Sequence, residues 1–236
     1  MITLLGNRGG GKSTVATAMA EWCYEESPDI PVISNWRIRN LPEFSCVPNI
    51  LKFLAVKLIE KDLTPMEIFI DESAIAGFES RGSGMYSLDS YLITLSRKLN
   101  INIILISQLL SMIEKRAQWL SDTYILCQAE YIPEVPQPVE FRYSVYDENL
   151  EKNMEFGIEG LDAIDYIYPL FDTNEIPGWQ DLAAQFKKQY RLESEDWELF
   201  NRTVEEYGKF VKPAPRVASG FDSWLGTRWG RFWDNV

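Results

Sequence analysis

The stretch Met1-Ile2-Thr3-Leu4-Leu5-Gly6-Asn7-Arg8-Gly9-Gly10-Gly11-Lys12-Ser13 decides the fold. Its apolar opening stops at Gly6, which reads as a short buried strand of a parallel sheet. Residues 6–13 then fit the pattern G-x-x-x-x-G-K-[ST] in full. A helix is expected from Lys12, because Val15, Ala16, Met19, Trp22 and Cys23 recur at helical spacing. Strand, glycine-rich loop and helix are the context in which this pattern binds phosphate. Glycines let backbone N–H groups turn inward around a β-phosphate, and the helix N-terminus adds positive potential. Lys12 is placed to reach the β- and γ-phosphates, and Ser13 to ligate Mg²⁺. Gly6, Asn7, Arg8, Gly9, Gly10, Gly11, Lys12, Ser13 and Thr14 form the candidate nucleotide-binding set.

Two later strands end in polar residues that suit the same site. Ile68-Phe69-Ile70-Asp71-Glu72 delivers an acid at the end of an apolar run, where Asp71 can support the metal. Glu72, directly after it, is placed to polarise an attacking water, which is hydrolase chemistry. Residues 101–106 form a third apolar run followed by Ser107-Gln108, and Gln108 can reach the γ-phosphate or the attacking water.

Around these runs the pattern alternates strand and helix, which means an α/β fold with a parallel sheet. Residues 31–36 read as a second strand. Residues 48–60 read as a helix with Ile50, Phe53, Leu54, Val56, Leu58 and Ile59 mostly on one side. Residues 76–87 are a glycine- and serine-rich loop, 88–99 a helix, and 123–129 another strand. After Tyr131 the pattern changes: residues 140–147 alternate like an antiparallel or edge strand, with 154–158 as a hairpin partner. The chain reads as mainly helical from 179 to 210, and Pro213 and Pro215 set off a tail. The expected organisation is a domain over 1–175, a helical extension over 176–212 and a basic, aromatic tail over 213–236.

The 236 residues are 46% hydrophobic and 25% charged, enough for a full-sized core and against a disordered or disulfide-stapled chain. No apolar run is long enough to span a bilayer, and no leader pattern opens the chain, so secretion is not expected. Three widely spaced cysteines suit reduced thiols in a cytosol-like compartment. With no histidine, a zinc site and a His-based triad are very unfavourable readings. The net charge of −12 disfavours a protein that coats nucleic acid over its whole surface. Residues 1–175 carry all of that charge, because the remainder holds nine basic and nine acidic residues.

Taken together these residues resemble the FtsK–HerA group of P-loop motors, and within it the zonula occludens toxin-like and viral genome-packaging ATPases. The matching segments are residues 6–13, Val32-Ile33-Ser34-Asn35, Asp71-Glu72, and Ser96-Arg97-Lys98-Leu99-Asn100 leading into residues 101–108. Ile113-Glu114-Lys115-Arg116, ahead of Asp122, is similar to the segment after the family's sensor strand. The resemblance covers roughly residues 1–130. It implies a P-loop NTPase (RecA-like) three-layer fold with a mostly parallel central sheet and a C-terminal helical extension. It also implies ATP and Mg²⁺ as cofactors, with a homo-oligomeric ring, pentamer or hexamer, that drives DNA through a pore. Carried over by position, Lys12 and Ser13 bind phosphate and metal, Ser13 and Asp71 serve the metal, Glu72 activates water and Gln108 senses the γ-phosphate. Arg97 matches the arginine supplied to a neighbour's ATP, with Arg81 and Arg116 as alternatives.

The expectation from sequence is a Mg²⁺-dependent ATPase that moves DNA, double-stranded, into a viral particle, in the host cytoplasm or with the virion. Two rivals stay open: a nucleotide-gated assembly or morphogenesis protein that moves no DNA, and a P-loop kinase. The loop over 76–87 can line a pore through Arg81 or be a plain surface loop. The tail, with Trp224, Trp229 and Trp233, can dock on a capsid or portal-like partner, stack on single strands, or fold onto its own domain or the next subunit.

Overall fold

The computed structural model describes residues 1–72, 95–113, 115–135, 137–147 and 154–172, with residues 193, 195 and 198 besides. The loop over 76–87, Arg81, most of the helix expected over 88–99, and the C-terminal extension and tail lie outside the described residues.

Seven strands form one sheet: β1 (Ile2–Leu5), β2 (Val32–Ser34), β3 (Met66–Ile70), β4 (Ile101–Ser107), β5 (Thr123–Glu130), β6 (Glu140–Asp147) and β7 (Met154–Glu159). Their order is β2-β3-β4-β1-β5-β6-β7. The first five in that order are parallel, while β5–β6 and β6–β7 pair antiparallel. The antiparallel pair appended to a parallel sheet is what the change of pattern after Tyr131 predicts.

Apolar runs without alternation mark strands covered on both faces, and the two cores show the division. Leu4, Phe69, Ile104, Ile106 and Ile125 face one way, against Val15, Ala16 and Met19 of helix α1 (Lys12–Glu26). Their neighbours Leu5, Ile68, Ile70, Ile103 and Leu105 face the other way, with Ile50 and Leu54 of helix α2 (Ile50–Glu60) and Ala117. Successive strand residues therefore feed opposite layers, which makes the described region a helix–sheet–helix sandwich. Phe141, Tyr143 and Val145 of β6 extend the α1-side core, and every other residue of that strand is less buried.

Two expectations need correction. The strand over 31–36 narrows to Val32–Ser34, because the Ser34 hydroxyl donates to the Trp36 carbonyl at 2.6 Å and turns the chain out of the ladder. In α2, Val56 and Ile59 are exposed, and the buried stripe is Ile50, Leu54 and Lys57, spaced i, i+4, i+7. Of the helix expected over 88–99, the described part is Leu95, which is helical, and a 3-10 turn at Ser96–Leu99, ended by Asn100 at φ 53; the rest lies outside the described residues. One stretch had no counterpart in the sequence reading. After β7 the chain is helical from Gly160 to Asp162, π-helical over Ala163–Ile167 and 3-10 over Tyr168–Leu170. Its Ala163, Ile167 and Leu170 join the core beside α1.

Candidate nucleotide site

Leu5 pairs with Ser107 on one side and Leu126 on the other, so the loop after β1 emerges between the carboxyl ends of β4 and β5. That is the crevice where open α/β sheets bind ligands. The loop turns tightly: the Gly10 N–H donates to the Asn7 carbonyl at 3.0 Å, and the Val15 N–H to the Gly11 carbonyl at 3.0 Å. Gly9 and Gly11 have φ 76 and 84, a left-handed region that only glycine enters freely. The loop also lies directly on the backbone of β5. A Cβ on Gly6 would collide with the Cys127 carbonyl, and one on Gly10 would stand 2.9 Å from the same oxygen. Packing and curvature together thus require all four glycines of the loop.

Lys12 is 9% exposed and its Nζ donates to the Gly6 and Asn7 carbonyls at 2.9 and 3.0 Å. The ammonium is thereby suspended over the loop that its own helix follows. Ser13 Oγ donates to Asp71 Oδ2 at 2.8 Å, across fifty-eight positions of sequence. The hydroxyl and the carboxylate that the sequence assigned separately to a metal are therefore adjacent. Asp71 Oδ1 accepts the N–H of Glu72 at 2.8 Å, and Glu72 has φ 46. Gln108 directly follows the residue paired with Leu5, so it stands at the same strand ends as the loop, half-buried. Arg8 is exposed in the loop, and Thr14 is buried in the first turn of α1.

Arg97 does not join them. It lies in the 3-10 turn that precedes β4, at the amino ends of the parallel strands, and its Nη2 pairs with Asp122 Oδ1 at 2.9 Å. The Met1 ammonium first, and Arg97 after it, hold the Asp122 carboxyl below the usual carboxylate range. Arg116 lies in the short helix Lys115–Leu120, half-buried.

Three supporting residues were given no site role from sequence. Asn35 is 1% exposed and bonds both backbone groups of Asp71. Tyr143, fully buried and stacked on Phe156 at 4.9 Å, donates its hydroxyl to the Gly11 carbonyl at 3.1 Å. Burial pushes its phenol well above the usual range, so it stays a donor. Tyr168 acts on the same turn: burial raises its phenol, and Thr14 offsets that only in part. Burial also pushes the Cys127 thiol up to about 12 despite Lys12 nearby, so it is an inert floor for the loop and no nucleophile. The inward alternation of Phe141, Tyr143 and Val145 was the available signal for Tyr143; nothing local in the sequence marks its target.

These residues fit a magnesium nucleotide. The cradle is one that Cβ atoms would fill, its lysine is buried among carbonyls, and a hydroxyl and a carboxylate converge beside it. Mg²⁺ takes one or two protein oxygens and completes its shell with water and phosphate, which matches the donor pair Ser13 and Asp71. Among the described residues, no helix is long and apolar enough to cross a membrane.

No protein-family model matches the chain, and no curated protein matches it. Solved structures do. The N-terminal domain of zonular occludens toxin from Neisseria meningitidis is similar at 12% identity and a TM-score of 0.49, over 72% of this chain and 98% of that one. The genome packaging NTPase B204 from Sulfolobus turreted icosahedral virus 2, in complex with AMPPCP, is similar at 16% identity and a TM-score of 0.45, over 66% and 95%. EssC (ATPases 2 and 3) from Geobacillus thermodenitrificans is similar at 14% identity and a TM-score of 0.40, over 91% of this chain and 45% of that one. By its own strand order, phosphate loop and acid-ended strand, the chain has a P-loop NTPase fold.

Proposed function

We propose that this chain is a Mg²⁺-dependent ATPase that works in a ring of subunits to move DNA into a viral particle. The observation that carries the ATPase reading is the 2.8 Å bond between Ser13 and Asp71, with Glu72 next in the chain. It joins the phosphate loop to a carboxylate pair, which a nucleotide hydrolase requires and a kinase does not. Mg²⁺, which Ser13 and Asp71 would hold, would supply neutralisation of the phosphate charge. Lys12 exchanges its two carbonyl partners for phosphate oxygens. Glu72 orients a water and takes its proton as the water oxygen bonds to the γ-phosphorus, and ADP leaves with the bridging oxygen. Gln108 reads the γ-phosphate from the end of β4. An arginine from the next subunit, Arg97 in this reading, stabilises charge as the bond breaks.

Movement of DNA rests on the sequence resemblance over roughly residues 1–130. An acidic chain is compatible with it, since a ring multiplies a few basic side chains and phosphate contacts need no basic exterior. In this reading the ring acts in the host cytoplasm or at the virion, and the tail over 213–236 docks on a capsid or portal-like partner.

The test is steady-state ATP hydrolysis by the purified full chain, with and without duplex DNA, beside Glu72→Gln. Turnover that DNA accelerates, and that Glu72→Gln stalls while still binding ATP, is the expected result. Turnover indifferent to DNA replaces the motor with a morphogenesis ATPase. No hydrolysis at all leaves a nucleotide-gated scaffold, and phosphate found on an acceptor other than water makes the protein a kinase.

A further inference from the structure

We propose that Asn35 is a positioning residue for the Asp71–Glu72 pair, acting through both halves of its side-chain amide. The proposal rests on the hydrolase reading above and extends it to a residue outside the phosphate loop and the acid pair.

Asn35 follows β2 directly and is 1% exposed. Its Oδ1 accepts the backbone N–H of Asp71 at 2.7 Å, and its Nδ2 donates to the backbone carbonyl of Asp71 at 2.9 Å. Its own N–H donates to the Phe69 carbonyl at 3.3 Å. The β2–β3 ladder ends at the pair Ser34 and Phe69, and the β3–β4 ladder ends at Ile70 and Leu105. Asp71 is thus the first residue of β3 beyond both ladders. The Asn35 amide takes the place of a strand there, offering one acceptor and one donor as a peptide unit does.

The consequence lies in what Asp71 and Glu72 do next. Once the Asp71 backbone is pinned at N–H and C=O, its carboxylate is directed at two partners, Ser13 Oγ and the Glu72 N–H. Glu72 itself has φ 46, a conformation that a non-glycine residue holds only when its surroundings enforce it. Of those surroundings the described contacts are the Asp71 carboxylate ahead of it and, behind that, Asn35. A partner behind a metal-supporting carboxylate fixes its orientation, as second-layer hydrogen bonds do at metal sites generally. No other side chain of this size presents an uncharged donor and acceptor on separate atoms, spaced as in a peptide unit. Aspartate in its place can accept the N–H but turns a carboxylate on the Asp71 carbonyl, and alanine offers neither.

The experiment uses the full chain as wild type, Asn35→Asp and Asn35→Ala. Melting temperature, kcat, KM for ATP and the half-saturating Mg²⁺ concentration are measured on each. Binding of a fluorescent ATP analogue, with and without Mg²⁺, is measured alongside. The expected result is a kcat lowered about 10–100-fold and a raised Mg²⁺ requirement, at a nearly unchanged KM for ATP and Mg²⁺-free binding. Unchanged kcat and Mg²⁺ requirement in folded variants overturns the proposal and leaves the hydrolase reading intact. Losses of KM, kcat and melting temperature together, or failure of both variants to fold, also overturn it, because they show a purely structural residue. If the wild type itself fails to hydrolyse ATP, the hydrolase reading falls. Asn35 is then decided by the Mg²⁺ dependence of analogue binding: a shift in the variants sustains its action on Asp71, and no shift overturns it.

Discussion

A methyl group built on Gly11 would run into the ring of Phe141 and stand 2.8 Å from the Tyr143 hydroxyl, on a backbone with φ 84. Gly11→Ala is therefore penalised twice, by the left-handed backbone and by two fully buried aromatic neighbours. The strain alone costs about 1–3 kcal/mol. Relief by shifting the loop would take the Gly11 carbonyl away from Tyr143 and Val15, which share it. The expected outcome is a lowered melting temperature together with loss of nucleotide binding, checked by calorimetry and a fluorescent-nucleotide titration. Wild-type binding in Gly11→Ala would mean that this curvature is not what shapes the phosphate cradle. The glycine was legible from its motif, but the reason for it was not. Tyr143 and Phe141 reach it from more than a hundred residues downstream. Asn35 was equally visible as a residue and equally silent about Asp71, thirty-six positions on. A contiguous motif states its own geometry; the residues that hold it in place are defined only by folding.

Helix α2 shows the same limit at the level of an element. Its existence and length follow from the apolar density over 48–60 and from Asn49, whose side chain accepts the Lys52 N–H at 3.0 Å as an N-cap. Its orientation does not follow, because apolar residues occur on more than one side. The structure turns Ile50 and Leu54 inward with Lys57, whose ammonium reaches the Thr64 carbonyl at 2.7 Å and the Asp62 carboxylate at 3.6 Å. The lysine stem buries like an aliphatic chain while its head stays bonded, which a pattern of apolar letters cannot show. Leu54 is fully buried and Ile59 is 78% exposed. Leu54→Ala is expected to cost about 2–5 kcal/mol. Ile59→Ala should stay within about 0.5 kcal/mol of wild type. Urea denaturation of the two variants checks the contrast, and equal losses would place Ile59 in a buried contact. The strands, by comparison, were legible to within a residue or two. Runs buried on both faces leave little freedom of register, and a polar residue or a glycine ends each one.

At the scale of the molecule, the carboxyl ends of the parallel strands gather Lys12, Ser13, Asp71, Glu72 and Gln108, while Arg97 is held at the amino ends by Asp122. The seven residues of β4 separate the two ends by about 20 Å, further than an arginine side chain reaches. Arg97 therefore cannot serve the phosphates of its own chain. In the proposed ring it serves the next one, and its 70% exposed side chain, with one surface ion pair to give up, is free to do so at low cost. The arrangement makes a prediction that a self-contained site does not. Lys12→Ala and Arg97→Ala should each abolish most turnover when alone. Mixed and allowed to exchange subunits, they should regain a measurable fraction. Wherever an Arg97→Ala subunit presents its intact loop to a Lys12→Ala neighbour, one complete site is rebuilt from two defective chains. The recovered rate should rise with protein concentration, because it requires contact between copies. Loss in both variants without recovery on mixing would exclude Arg97 as the trans residue, and Arg116→Ala mixed in the same way then tests the other described candidate. Full activity of Arg97→Ala by itself would reduce the arginine to what its position within one subunit already shows, a surface partner for Asp122.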